Sequence, residues 1–268
     1  MVKKLMKYEF MYYLRSIAPM CIILLGMALA NRLIQFAEKD STTYNILFTS
    51  SAILLGIMCF VVIAMAFILG VVRFHKNMYS EEGYLSLVLP VTENQHIFAK
   101  VLCALIETVV AFIWVLISLS IATAGDVWVE LMKAFFFLMK KGSEVAGATN
   151  FVFYVIEFVV AAVAVVVCAF LLFYACDSIG QLAKKNRVLS AFGAYLVHYV
   201  FWQIMGTIGI IWISNEYWPT EAIIELIDDH PKTFIHVFLI GITVFSLVLS
   251  AIYYAVTHWV LKKKLNLE

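Results

Sequence analysis

The stretch ILFTSSAILLGIMCFVVIAMAFILGVV, residues 46–72, decides the fold class of this chain. It is 27 residues long and contains no charged side chain. A helix needs only about 20 apolar residues to cross the roughly 30 Å of hydrocarbon in a membrane. The run is continuous rather than alternating, and in lipid the backbone groups of such a segment are satisfied within a helix. The stretch therefore predicts a transmembrane helix.

Five other runs meet the same criterion, so the sequence predicts an all-α membrane protein with six transmembrane helices. The second, fourth and sixth runs are longer than a crossing requires, which predicts that they tilt or extend beyond the bilayer. Residues 1–268 are expected to form a single transmembrane domain. The predicted spans cover residues 16–31, 46–72, 101–124, 151–176, 191–213 and 234–260.

The composition supports lipid as the solvent. Of the 268 residues, 64% are apolar and only 14% are charged, against about half and about a quarter in an ordinary soluble domain. The net charge of +1 gives no indication of a nucleic-acid partner. The five cysteines all fall inside apolar runs without a C-x-x-C spacing, so neither a disulfide framework nor a metal site is predicted.

The distribution of Lys and Arg predicts the orientation. Thirteen of the 19 basic residues fall at one set of span ends and six at the other. Because basic residues concentrate on the cytoplasmic side, both termini are expected in the cytoplasm of a cell that carries the chain in its plasma membrane.

The first fifteen residues predict an interfacial helix that precedes the first span. Leu5, Met6, Phe10, Tyr13 and Leu14 recur near a helical period, with lysines between them, which is typical of a helix in the headgroup plane. Pro19 could then set a bend into the span. The alternative is a plain basic tail.

Two segments on the outer side predict short helices before the last span. Residues 126–141 are rich in aromatic residues and end in two lysines, which suits a helix on the outer membrane surface. Residues 214–232 are too short to cross, and they favour a re-entrant or surface-lying helix as much as a solvated loop.

Polar side chains inside spans are the first candidates for function, because a charge in lipid costs a few kcal/mol. At about 1.5 Å per residue, depth in the membrane allows pairing of Glu107 with His198 on the cytoplasmic side and of Glu157 with Gln203 on the outer side. Such groups either hold helices together by hydrogen bonds or line a substrate path, and the first interpretation is favoured.

The chain lacks the sequence motifs of common nucleotide-binding and metal-binding sites. It has no G-x-x-x-x-G-K-[ST] loop for nucleotide phosphates and no H-E-x-x-H or Cys/His cluster for a metal. No catalytic residue, metal site or cofactor is therefore predicted for this chain itself.

The most specific feature is RFHKNMYSEEGYLSLVLPVTENQHIFAKVL, residues 73–102, on the inner side after the second span. This run resembles the type-2 permease family, the membrane subunits of ATP-binding-cassette exporters in Gram-positive bacteria. Its similar features are a basic and aromatic exit from the span, an acidic pair before Gly-Tyr-Leu, a Leu-Pro-Val turn, and a lysine that opens the third span. In this chain those positions are Arg73, Phe74, Lys76, Glu81, Glu82, Gly83, Tyr84, Leu85, Leu89, Pro90, Val91 and Lys100.

The resemblance implies a permease subunit that is not itself an enzyme. Two copies of a separate ATPase subunit would bind ATP and Mg²⁺, and a second permease copy or a different permease would complete the pathway. The cargo would be an amphipathic peptide or a lipid-like molecule, moved out of the cell.

The inner loop itself suits the transmission of force from such an ATPase. Residues 77–83 can form a short helix that Gly83 ends, and the aromatic and acidic side chains can meet a groove in the partner. The predicted ATPase-coupling loop is Tyr79, Ser80, Glu81, Glu82, Gly83 and Tyr84, with a second inner contact at Lys184, Lys185 and Arg187.

Two alternatives to the exporter stay open. One is a proton-coupled secondary transporter that uses Glu107 or Glu157. The other is a membrane scaffold or sensor subunit that carries no cargo.

Overall fold

A computed structural model describes residues 2–36, 42–80, 83, 92–123, 126–183, 185–214 and 231–263. Almost all of these residues are helical, and no strand occurs among them. In chain order the helices are α1 (Val2–Ile34), α2 (Thr42–Tyr79), α3 (Glu93–Ala122), α4 (Asp126–Ala146), α5 (Ala148–Gly180), α6 (Arg187–Ser214) and α7 (Pro231–Lys263).

The predicted fold class is confirmed: six of these helices are long and apolar enough to cross a membrane. The qualifying segments are Met6–Ile34, Thr42–Tyr79, Glu93–Ala122, Asn150–Gly180, Arg187–Trp212 and Lys232–Lys262. Most helices extend past the predicted spans, because hydropathy marks only the apolar middle of a helix whose polar ends continue beyond it. Helix α2, for example, continues seven residues past Val72.

The N-terminal segment is part of α1 rather than a separate interfacial helix. Helix α1 runs without interruption from Val2 to Ile34, with Pro19 inside it. One buried stripe continues through the helix and explains why it does not divide. Its members are Glu9, Tyr13, Ile17, Cys21, Leu24 and Ala28.

The same stripe corrects the predicted apolar face of the first fifteen residues. The structure buries Glu9 and Tyr13, while Tyr8 and Leu14 are exposed. The burial of Tyr13 contradicts its assignment to the lipid-facing side, whereas the exposure of Leu14 agrees with that assignment.

The predicted outer helix at residues 126–141 is present as α4, which extends to Ala146. Gly147 separates it from α5 with a positive φ of 84°. Gly142 touches the ring of Phe151, so that a Cβ at Gly142 would lie 2.7 Å from a ring carbon. Most of the second predicted outer segment, residues 215–230, lies outside the described residues.

The helices group into two compact units, of which the first falls within Met1–Phe74 and Pro90–Lys141. Its apolar core consists of small and branched residues from α1, α2 and α3. The indole of Trp114 donates to the Cys21 carbonyl at 2.9 Å, and the Gln35 amide donates to the Ala122 carbonyl at 2.6 Å. These bonds tie α1 to α3 along their length.

The second unit falls within His75–Leu89 and Gly142–Glu268, and α5 is its centre. Helix α5 packs against both α6 and α7. At Gly180, the last residue of α5, the backbones of α5 and α6 approach closely, because a Cβ on Gly180 would lie 2.6 Å from the Ala191 Cβ. Serines 246 and 250 and Thr257 of α7 are buried, and the two hydroxyls of Ser250 and Thr257 donate to their own helix.

Candidate functional site

The predicted coupling loop begins at the end of α2. Tyr79 is the last residue of α2, so residues 77–79 extend the span helix and do not begin a separate one. Ser80 donates to the Lys76 carbonyl, and the Gly83 amide donates to the Ser80 carbonyl at 2.7 Å. Glu81, Glu82 and Tyr84 lie outside the described residues.

Gly83 is required by close packing. A Cβ at this position would lie 2.8 Å from the carbonyl oxygen of Met78, and backbone cannot yield as a flexible side chain does. Gly83 thus packs directly against the last turns of α2. The predicted role of Gly83 as the stop of a helical segment stays a prediction, because its neighbours in the chain lie outside the described residues.

Two hydrogen bonds hold the end of α2 against the end of α5. His75 Nδ1 lies 2.8 Å from Asp177 Oδ1, and the Tyr79 hydroxyl lies 2.6 Å from Ser178 Oγ. His75 and Tyr79 are four residues apart and share one face of α2, whereas Asp177 and Ser178 belong to the last turn of α5. We call these four residues the loop-base clamp.

The direction of the second bond follows from a third. The Ser178 hydroxyl donates its only hydrogen to the Tyr174 carbonyl at 2.6 Å. The Tyr79 hydroxyl must therefore donate to Ser178 Oγ. Tyr79 was predicted as an aromatic anchor for a partner, but its hydroxyl is used within the chain.

The loop-base clamp joins the two predicted inner contacts at their bases. The coupling loop leaves α2 directly after Tyr79, and the second inner loop leaves α5 directly after Gly180. In that second loop Lys185 and Arg187 are exposed, and Arg187 is the first residue of α6. Lys184 lies outside the described residues.

The first unit contains an ion cluster that the sequence did not lead us to expect. Lys100 Nζ lies 2.9 Å from Glu9 Oε1, and Arg73 Nε lies 3.0 Å from Glu9 Oε2. Glu9 and Lys100 are almost fully buried, and the Arg73 guanidinium stacks 4.1 Å above the Tyr12 ring centroid. The Glu9 ion cluster, as we name Glu9, Arg73 and Lys100, links α1, α2 and α3.

Glu107 is buried on the same side of α3 as Lys100. Glu107 is 4% exposed, and neither of its carboxyl oxygens has a hydrogen-bond partner among the described residues.

Glu157 pairs with a residue that the sequence analysis did not consider. His236 Nδ1 of α7 lies 2.8 Å from both carboxylate oxygens of Glu157 on α5. The His236 ring packs against Tyr154 with centroids 4.4 Å apart, and the Tyr154 hydroxyl donates to the Lys232 carbonyl at 3.1 Å.

His198 and Gln203 have hydrogen-bond partners within the second unit. His198 Nε2 lies 2.6 Å from the Tyr253 hydroxyl and accepts from the Trp202 indole at 3.0 Å. The Gln203 amide donates to the Tyr199 hydroxyl at 2.8 Å on its own helix, so it does not form the bond expected with Glu157.

Several of these residues were missed because they lie near the ends of apolar runs. Glu9, His75, Lys100, Asp177 and His236 look like ordinary flanking residues in a hydropathy profile. A sequence signal existed in the helical spacing, since Glu9 and Tyr13 are in phase with the apolar stripe of the span that follows them.

Comparison of the chain with protein-family models, curated proteins and solved structures gives no match. Within the part of the chain that the structure describes, no group of three or more His, Cys, Asp or Glu side chains is placed to hold a metal ion.

Proposed function

We propose that this chain is the permease subunit of an ATP-driven exporter and works with a separate ATPase. The proposal joins the resemblance of residues 73–102 to type-2 permeases with the six membrane-spanning helices. Two ATPase copies and a second permease, identical or different, complete the assembly. The cargo is an amphipathic peptide or a lipid-like molecule, and the direction is out of the cell.

The loop-base clamp is the observation that carries the proposal. A permease without an ATPase of its own must receive movement through its cytoplasmic loops. Here Tyr79, the first residue of the coupling loop, and His75, one helical turn before it, are hydrogen-bonded to the last turn of α5. A displacement of the loop would therefore act on a membrane-spanning helix as well as on the loop.

The coupling step follows from these contacts. Closure of the ATPase pair around nucleotide would move residues 79–84, and His75 and Tyr79 would pass that movement to Asp177 and Ser178. Helix α5 packs on both α6 and α7, so its displacement would shift these helices together. Such a shift would alternate access to the pathway between two permeases.

The test is co-purification of the tagged chain from its source membranes in mild detergent. We expect a stoichiometric partner of about 25–35 kDa, the size of one or two domains, and Mg²⁺-dependent ATP hydrolysis in the purified complex. A chain that transports cargo in vesicles with no ATPase present would contradict the proposal.

Charge reversal in the coupling loop sharpens this test. Glu81→Lys with Glu82→Lys should release the ATPase, because it places like charge against the basic groups that meet the acidic pair. Tyr84→Ala should weaken docking by about 1–2 kcal/mol, which is roughly five- to thirty-fold.

Glu144→Lys is the matched control, since it reverses an exposed acid of α4 on the opposite predicted side. This variant should keep its ATPase. Retention of both ATPase and transport by the loop variants would show that residues 79–84 are not the coupling element.

A further inference from the structure

We infer that Glu107 is a proton-binding site within the first unit, occupied in the resting state and able to exchange its proton. The inference does not depend on an ATPase partner. It rests on three observations. The Glu107 carboxyl is buried, its two oxygens have no hydrogen-bond partner among the described residues, and charged residues lie on the same face of α3.

The first observation is the isolation of the carboxyl. Glu107 is 4% exposed, and its two oxygens have no hydrogen-bond partner among the described residues. Glu9 and Glu157, by contrast, are held by cationic or imidazole nitrogens at 2.8–3.0 Å. A side chain whose role is to hold two helices together should have such a partner. This structural role therefore fits Glu9 and Glu157 but not Glu107.

The second observation is that no described residue forms an ion pair with Glu107. An ionised carboxylate that is removed from water without a partner takes up a proton, because the neutral form avoids most of the desolvation cost. The nearest cation on the same face of α3 is Lys100, two helical turns or about 10 Å along the axis. Its ammonium is already bonded to Glu9.

The groups that face Glu107 from the packed helices are few. On α3 they are His96, Lys100 and Cys103, all buried toward the start of the helix. On α1, Glu9 and Tyr13 lie on the buried stripe at the corresponding level, because Cys103 contacts Met6 and Trp114 contacts Cys21. On α2 the charged group is Arg73, which is bonded to Glu9.

The Glu9 ion cluster contains a cation that would stabilise the ionised form of Glu107 and so favour release of its proton. Glu9 is bonded to two cations, Arg73 and Lys100, so it keeps a cationic partner if Lys100 turns away from it. An ionised Glu107 would then pair with Lys100. Loss of the proton and movement of Lys100 would thus occur together.

An apolar carbodiimide, dicyclohexylcarbodiimide, tests the inference on the full chain in vesicles of phosphatidylethanolamine and phosphatidylglycerol. A protonated carboxyl adds across one C=N bond of the reagent, its proton moves to nitrogen, and the adduct rearranges to a stable N-acylurea that mass spectrometry locates. We expect modification of Glu107 at neutral pH. Above its midpoint the rate should fall about tenfold per pH unit, because a single proton is lost.

Two variants and two outcomes decide the result. Glu107→Gln should lower carbodiimide incorporation to background, while Glu157→Gln, the matched acid in another span, should leave the modification of Glu107 unchanged. If Glu107 is not modified at any pH, the inference is wrong. If it is modified at the same rate at every pH, the proton does not exchange and the site is only a buried neutral acid. Both readings come from the wild-type chain, so they stand even if a variant fails to fold.

Discussion

Glu9 shows how one residue can connect three helices. Its two oxygens take separate cations, Lys100 on α3 and Arg73 on α2, and both bonds are shielded from water. A buried ion pair adds little net stability when it is complete. Removing one member, however, leaves a buried charge without compensation, and that is costly.

We therefore expect Glu9→Gln to lower the free energy of unfolding by about 3–5 kcal/mol. The double variant Glu9→Gln with Lys100→Gln should recover part of the loss, since it also removes the buried ammonium. Thermal unfolding in detergent, followed by circular dichroism, measures both effects. Lys7→Gln, which changes an exposed charge on the same helix, is the control. An unchanged midpoint for Glu9→Gln would contradict the energetic role of the cluster.

Tyr79 allows a clean deletion of one hydrogen bond. Because Tyr79 donates to Ser178 and Ser178 keeps its own bond to Tyr174, Tyr79→Phe removes one hydrogen bond between α2 and α5. The bond between His75 and Asp177 stays in place. The loss should be about 0.5–1.5 kcal/mol of stability. If the loop-base clamp transmits movement, Tyr79→Phe should also lower transport per ATP hydrolysed while the ATPase stays bound.

The comparison with Ser178→Ala separates the bond from the packing. The two single variants should not be additive, because each removes the same hydrogen bond. Transport and ATP hydrolysis are measured together on reconstituted vesicles. Wild-type coupling in Tyr79→Phe would show that the clamp is structural only.

At the scale of the elements, the short connection from α4 to α5 depends on one glycine. Gly147 has φ 84° and ψ 139°, a region that is essentially closed to residues with a Cβ. No atom lies within 4 Å of a Cβ built at this position, so the restriction comes from the backbone and not from crowding.

Gly147→Ala should therefore destabilise the protein by about 1–3 kcal/mol. Gly206→Ala is the matched control, since Gly206 lies inside α6 and also has open space around a built Cβ. That change should be neutral or stabilising, because alanine favours a helix by about 1 kcal/mol over glycine. Thermal unfolding of the two variants side by side measures the difference, and equal effects would contradict this account of the connection.

For the whole molecule, the count of thirteen basic residues against six predicts both termini inside the cell. In a background without the five native cysteines, Asn266→Cys should be protected from an impermeant thiol reagent in intact cells and should react after lysis. Glu144→Cys, on the predicted outer side, should react in intact cells. The reverse pattern would invert the topology and would place residues 79–84 outside, away from ATP.

The all-helical class and the approximate positions of six helices that can cross a membrane could be predicted from the amino-acid sequence alone. This was possible because the transfer of an apolar run into lipid depends on composition and length, which need no knowledge of neighbours. Helix α4 could also be predicted, because its apolar and charged residues recur with a helical period. The ends of helices were less well predicted, since the contacts that extend α2 to Tyr79 are made with α5, far along the chain.

Which polar residues act together could be seen only once the helices were packed in three dimensions. Glu9 and Lys100 are 91 residues apart, and Glu157 and His236 are 79 apart, so no local pattern indicates either pair. Each spans two helices, and the pairing depends on how those helices are packed and rotated about their axes. The isolation of Glu107 is likewise a property of its surroundings, because a lone acid in an apolar run has the same sequence whether or not a partner from another helix reaches it.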